Sequence, residues 1–492
     1  MRSAGYLGPG FVADVCSAFY PLAAASPAIA SLALEDHGLR WAHAPAVLAH
    51  PLPDGGCALL SRDVTETCSA LERLGRGDGA AWERLWQLWG RLGPALVDAL
   101  FTPFPPLRAG TRMLARAGPA GVPAFARFAA LPVRRLMEEE FSGPGGLLLA
   151  GCTMHTDLAP ESAGGALYAW VLAMLGQQYG WPVPEGGAGR LAQAMVGRLR
   201  SLGGEVRCST PAEEVLVRHG RATGVRAVSG ETFRARRAVI ADVAAPLLYG
   251  GLVGWEHLPA RLRDDIRRFQ WDYATVKVDW ALSGRVPWSA PTAGRAGTVH
   301  LSAGIDEMTM YCAQLATGQV PAEPFVLMGQ MTTADASRSP LGTESLWGYT
   351  HVPRSVRGDA GGRGLSGAWD GAELELMADR VEQQVERFAP GFRSLVSRRH
   401  VLGPHQLQEH TANAVGGAVN GGTAAAHQQL FLRPVPGLGR PRTPVAALYL
   451  ASASAHPGGG VHGACGANAA RAALRAQGPV RRWLRRAAAA PA

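Results

Sequence analysis

His456-Pro457-Gly458-Gly459-Gly460-Val461-His462-Gly463 is the stretch whose reading decides the fold of this 492-residue chain. A strand-like Ala447-Leu448-Tyr449-Leu450 leads into it, and very small residues come after: Gly463, Ala464, Gly466, Ala467, Ala469 and Ala470. Consecutive glycines let backbone N–H groups approach a bulky ligand without a Cβ clash. The helix predicted from Ala464 to Ala476 would offer a partial positive charge and free donors at its N-terminus, suited to a phosphate or an anionic ring. Tight packing without a ligand accounts for the same pattern, so the chemistry has to be argued from the rest of the chain.

Upstream, Val64 to Leu100 reads as helical, and arginine-bearing helical pieces continue to Phe141. Leu71, Leu74, Trp82, Leu85, Trp86, Leu88 and Trp89 recur at spacings near three and four, a face that either packs on a core or touches lipid. Pro103, Pro105 and Pro106 end this stretch. A buried helix is predicted over 163–179 and another from Ala188 to Leu202, stopped by Gly203-Gly204. Strands are predicted at Glu205–Cys208, Glu214–Val217, Thr223–Val228, Ala235–Ile240, Ala274–Leu282 and Phe325–Gln330. Arg218, His219 and Gly220 punctuate the second and third like a hairpin turn. The stretch 354–366 is predicted as a mobile loop, and 372–388 as a helix. Helices alternating with strands give an α/β, nucleotide-binding class.

A hydrophobic content of 47% and a charge content of 18% place the chain among globular proteins. The net charge of +9 is scattered rather than gathered into a stripe with interleaved aromatics, which argues against a nucleic-acid partner. Lys277 is the only lysine, against 47 arginines. That bias, with abundant Ala and Gly, suggests a GC-rich bacterial genome, and it marks Lys277 for work that a guanidinium cannot do. Seven cysteines without a CxxC spacing support neither a zinc site nor a dithiol centre, and read as free thiols of a cytoplasmic protein. No membrane span is predicted, although a peripheral membrane contact stays open.

The glycine segment with Asn468-Ala469-Ala470 closely resembles the C-terminal FAD motif of phytoene desaturases and carotenoid isomerases. It is most similar to their branch of pyridine nucleotide-disulphide oxidoreductase domain-containing proteins. Also similar, in order along the chain, are Tyr20-Pro21-Leu22, Tyr179-Gly180-Trp181-Pro182, Lys277 to Leu282, Trp347 to Pro353, Gly416-Gly417 and Gly421-Gly422. The resemblance implies a Rossmann-like FAD/NAD(P)-binding domain and an α+β substrate domain carrying a helical insertion. It also implies a flavin oxidoreductase that removes hydride from, or isomerises, an apolar polyene or lipid-like substrate. One element of the family pattern has no counterpart: no strand leads into G-x-G-x-x-G. Met1 to Tyr20 resembles the family segment just C-terminal to that unit, so roughly the first 40 family residues are expected to be missing, through a misplaced start codon or a truncation, and the FAD domain to be N-terminally incomplete.

On that resemblance the domains are 1–62, 161–250 and 411–476 for FAD, with 63–160 a helical insertion, 251–410 a substrate-binding domain and 477–492 a basic tail. The cofactor-binding residues are Gly186, Gly187, Val215, Asp242, Gly458, Gly459, Gly460, Val461, His462 and Gly463. Gly458 to Gly460 would run beside the pyrophosphate and ribityl chain, and Val461 to Gly463 beside the isoalloxazine. Gly186 and Gly187 would open a helix near the flavin, the strand at Val215 would bond the adenine, and Asp242 would lie where the chain returns under the FAD. His456, His462 and Lys277 are the catalytic candidates, the histidines as proton shuttles and the lysine as a charge beside the flavin. A catalytically silent binding protein and a flavin amine oxidase are the alternatives.

Overall fold

A computed structural model describes residues Met1–Gln477, and the basic tail expected at 477–492 lies almost wholly outside the described residues. The strands used below are, in chain order, β1 (Ala46–Pro51), β2 (Cys57–Leu60), β3 (Ala212–Arg218), β4 (Arg221–Ala227), β5 (Thr232–Arg234) and β6 (Val239–Ala241). They continue as β7 (Ala274–Leu282), β8 (Ala296–Leu301), β9 (Val326–Gln330), β10 (Glu344–Val352), β11 (Val396–Leu402) and β12 (Leu448–Leu450). The helices are α1 (Asp78–Phe101), α2 (Leu107–Ala130), α3 (Leu147–Thr153), α4 (Gly165–Tyr179), α5 (Gly189–Ser201), α6 (Gly371–Phe388) and α7 (Ala464–Arg475).

The chain divides into two units. The first comprises Met1–Val97, Gly110–Gly204 and Asp272–Val419; the second comprises Asp98–Ala109, Glu205–Trp271 and Asn420–Ala492. From sequence, 1–62 and 161–204 were expected to join the glycine segment. They fall instead in the first unit, because β1 and β2 complete its seven-stranded sheet, ordered β11-β7-β10-β9-β8-β1-β2. All neighbours there are antiparallel except β8 and β1, whose parallel register sets Thr298 against Leu48 and Val299 against Ala49. A parallel pairing across about 250 residues needs tertiary structure to bring it together.

One face of this sheet packs Val276, Val278, Trp280, Val299, Val326 and Leu346 against Met377, Ala378, Val381 and Val385 of α6. Asp370 caps α6, accepting from the Glu373 N–H at 2.9 Å. The opposite face is covered by helices. Trp82 and Trp89 of α1, at three- and four-residue spacings, are fully buried, and their ring N–H groups donate to Gln177 at 2.9 Å and Gln178 at 2.7 Å. The tryptophan stripe is therefore core and does not face lipid. α4 is buried along most of its length, and among the described residues no helix is long and apolar enough to cross a membrane.

The second unit contains the parallel pair β6–β12 and the meander β3-β4-β5. β3 and β4 meet through His219 and Gly220, both at positive φ, as a two-residue hairpin turn requires. Its core joins Val215, Ala241, Leu248, Tyr249, Leu448 and Leu450. Glu205–Cys208 is exposed irregular chain and not a strand; its residues bury no face, so nothing rewards pairing. The expected loop 354–366 is held in place by Asp359. Its carboxylate accepts from Gly361, Arg363 and Leu365 N–H groups and pairs with buried Arg380 at 2.7 Å.

Candidate functional site

In the second unit, β6 and β12 run parallel, with Val239 opposite Leu448 and Ala241 opposite Leu450. Ligands of open parallel sheets bind beyond the carboxyl ends of the strands. Two of the expected segments leave from that edge: Asp242, exposed directly after β6, and the glycine segment after β12. Gly458 and Gly460 have φ values of +115° and +110°, which side-chain-bearing residues rarely adopt. Gly459 is required by close approach, since a Cβ there would meet the Asn420 carbonyl at 3.0 Å. α7 then begins at Gly463 with no side-chain cap, so its dipole faces the glycine run. Beneath Gly458 lies the guanidinium of Arg433, whose Nε would be 3.3 Å from a Cβ at that position. Arg433 is buried and donates to the carbonyls of Asn420, Gly421, Thr423 and Ala453. These features fit an FAD pyrophosphate: small residues, a helix N-terminus, and a fixed cation below.

The two expected proton shuttles differ. The Ala464 N–H donates to His462 Nδ1 at 3.0 Å, so the ring hydrogen sits on Nε2, which donates to the Gly458 carbonyl at 3.2 Å. Burial pushes His462 down to about 4, so near neutrality it braces the loop as a neutral ring. His456 is also buried and lowered by burial, but its Nε2 has no partner. Of the two, His456 is the one with a ring nitrogen left for a ligand atom. Phe101 packs on His462 at 5.7 Å and Phe104 on His456 at 6.4 Å. Val215 has its side chain in the core, and β3 is the outer strand of its meander, leaving a backbone edge beside that residue.

Gly186, Gly187 and Lys277 belong to the first unit. There the N–H groups at the start of α5 are already engaged. Gly186 donates to Asp335 at 2.8 Å, Ala188 to Asp14 at 2.8 Å and Gly189 to Ser3 at 3.0 Å. Asp14 also pairs with Arg338 at 2.7 Å, both completely buried. A Cβ on Gly187 would strike Ser3 Oγ at 2.4 Å, so that glycine serves packing. Any ligand contact at Gly186 and Gly187 would therefore be one of close approach; at α7 the first N–H, that of Ala464, is taken by the His462 ring.

Lys277 projects from β7 on the same sheet face as Asp279, two residues on, and its ammonium contacts both oxygens of that carboxylate. Both are buried. Tyr6 donates to Asp279 at 2.9 Å and stacks on His400 at 4.0 Å. Burial raises the Asp279 carboxyl and Lys277 pulls it back; burial and Asp279 together hold the Tyr6 phenol far above its usual range, so it stays a donor. We expect Lys277→Met to cost about 3–5 kcal/mol by stranding the buried carboxylate, and a second change, Asp279→Asn, to restore most of it. Urea unfolding of the single and double variants measures both.

Lys277 and Asp279 stand opposite Tyr349 and Trp347 of β10. Trp347, Tyr349 and His351 alternate along one face, with Trp347 and Tyr349 stacked at 5.7 Å and 10° and His351 following Tyr349 at 5.6 Å. Farther along that face is a cluster the sequence did not disclose. His155 and His300 meet through their Nε2 atoms at 2.9 Å. His50, on the strand beside His300, is engaged by the Ser302 carbonyl at 2.8 Å. Nδ1 of His50 and of His300 are buried without partners. Burial lowers all three, His50 to about 4 and His155 to about 3. These residues lie 105 and 145 positions apart in sequence; the β1–β8 register joins His50 to His300, and the turn after α3 brings His155. No group of metal-ligating side chains is found among the described residues.

No family model matches the chain. It is 27% identical over 509 aligned positions to rat pyridine nucleotide-disulfide oxidoreductase domain-containing protein 2, covering 95% of this chain and 86% of the relative. It is 26% identical over 302 positions to the lycopene-forming phytoene desaturase of Pseudescherichia vulneris, covering 61% and 57%. Among solved structures, an oxidoreductase from Methanosarcina mazei superposes with a TM-score of 0.57 at 14% identity, over 95% of this chain and 89% of that one. Putrescine oxidase gives 0.56 at 14%, over 96% and 90%; at that identity the likeness is one of fold. The fold likeness, the sequence relatives and the glycine segment agree: the chain is similar to the phytoene desaturase-like FAD-dependent oxidoreductases.

Proposed function

We propose that the protein binds FAD along Gly458–Gly463 and dehydrogenates or isomerises an apolar polyene or lipid-like substrate. The observation that carries the proposal is the delivery of the glycine segment, Asp242 and the start of α7 to one edge of the parallel pair β6–β12. When bound, the flavin supplies the acceptor for a hydride from a substrate C–H. The chain's own contribution is positional. Arg433 and the α7 dipole favour negative charge at the glycine run, His462 fixes the loop as a neutral ring, and His456 presents a free ring nitrogen.

The test is whether the purified chain carries the visible flavin absorbance through gel filtration, and what Gly459→Ala does to it. We expect the wild type to be coloured and the variant to hold FAD about tenfold more weakly, as Asn420 is pushed toward the cofactor. Circular dichroism should show both folded. A colourless wild type with an intact fold would favour the catalytically silent binding protein. Bleaching of the bound flavin by simple diamines, and not by polyenes, would favour amine oxidation.

A further inference from the structure

The first unit gathers a set of polar side chains that the glycine segment does not use. His351 of β10 is 2% exposed, and its Nε2 is buried without a hydrogen-bond partner. The other side of the ring is engaged: Nδ1 lies 3.3 Å from the Thr275 hydroxyl, and the Ala274 carbonyl accepts from the ring. The ring hydrogen therefore sits on Nδ1, and Nε2 is an open acceptor. Tyr349 stands 5.6 Å away on the same sheet face, edge-on to the imidazole. Tyr168 of α4 and Tyr273, just before β7, pack with Tyr349 on the helix-covered side of the sheet, where all three are half-buried. None of the three phenols hydrogen-bonds to another group among the described residues. Asp157 links the set, since its charge acts on Tyr168, Tyr273 and the His351 ring.

Burial decides which charge this place accepts. It lowers the His351 and His155 rings, the latter to about 3. It raises the phenols of Tyr168, Tyr349 and Tyr273, the last to about 12. Asp272 and Asp157 pull the His351 ring back up, yet burial prevails. A ligand ammonium would meet the same penalty as an imidazolium, and a carboxylate the same penalty as a phenolate. The groups on offer are thus neutral O–H donors beside one neutral nitrogen acceptor. A ligand carbonyl would use the donors alone, and a hydrocarbon would use neither. We propose that Tyr168, Tyr349 and His351 form a subsite for a hydroxyl of the substrate, its oxygen accepting from a phenol and its hydrogen donated to His351 Nε2. Resting on the apolar substrate proposed above, the subsite narrows its class to a lipid-like alcohol in place of a pure hydrocarbon.

The test is isothermal titration calorimetry of the full chain with three isoprenoids of equal carbon number: the alcohol geraniol, geranylamine and the hydrocarbon myrcene. We expect geraniol to bind about tenfold more tightly than either of the others. Tyr168→Phe and Tyr349→Phe should each weaken geraniol about fivefold, and His351→Asn, which removes the Nε2 acceptor, about tenfold. Myrcene should bind all the variants like the wild type, and their thermal melts show whether each is folded. Myrcene or geranylamine bound as tightly as geraniol, or geraniol affinity untouched by the three changes in folded protein, would overturn the subsite. Flavin absorbance of the same samples reports on the cofactor separately. A colourless chain that still selects the alcohol leaves the subsite standing and sinks the flavin reading. A coloured chain without that selectivity does the reverse.

Discussion

Acidification from pH 7 to pH 5 is expected to remove about 4 kcal/mol of stability from the first unit through His50 and His155 alone. An imidazole titrates near 6.5 when unfolded, whereas burial holds these two at about 4 and about 3. The unfolded chain therefore takes up protons that the folded chain refuses. The contribution is complete above pH 6.5 and is lost as the pH falls toward the folded values, at about 1.4 kcal/mol per pH unit for each ring. His300, lowered by burial and by His155 and His50, adds in the same direction. Its Nε2 bond to His155 requires that at least one of the two rings stay unprotonated. Urea midpoints between pH 7.5 and pH 5 measure the slope. A flat profile would show that water or movement relieves the cluster without unfolding.

Replacing Arg433 by Met should cost about 3–5 kcal/mol and release FAD as well, because one buried fork gathers two separate pieces of backbone. Its Nε and Nη2 reach the Ala453 carbonyl at 2.9 and 2.8 Å, Nη1 reaches Thr423 at 2.9 Å and Nη2 reaches Asn420 at 3.0 Å. Without the fork these carbonyls lose their donor in a buried place, and the 420–423 loop is no longer held against the chain that enters the glycine segment. Arg433→Lys keeps the charge but not the planar geometry, so it should recover little of the loss. Urea unfolding and FAD retention are the readouts, and a loss below about 1 kcal/mol for Arg433→Met would refute the keystone role.

These two effects also show what a sequence can disclose. β7 appears in the sequence end to end, because Ala274–Leu282 is a continuous apolar run bearing one lysine and one aspartate. α6 is legible from the Asp370 cap and its periodic Leu374, Met377, Val381 and Val385. The glycine segment is legible because backbone geometry restricts it to one residue type. Arg433 is not, since its partners are carbonyls, which any sequence supplies. The histidine cluster is not, since a parallel register between strands some 250 residues apart brings it together. The place of 1–62 in the first unit is hidden for the same reason: β1 and β2 look like any short strands until their partners are known. The start of α5 resembles an anion site in sequence, and only the folded chain reveals that Asp14, Asp335 and Ser3 occupy its donors.

The solitary lysine has a practical consequence. With 47 arginines and one buried lysine, an acylating reagent finds a single side-chain amine, and that amine lies inside the seven-stranded sheet. Its modification rate counts the moments when β7 opens, much as hydrogen exchange counts the opening of a single amide. A mass spectrometer following the peptide around position 277 would thus watch one interior point of the molecule breathe, without any engineered probe.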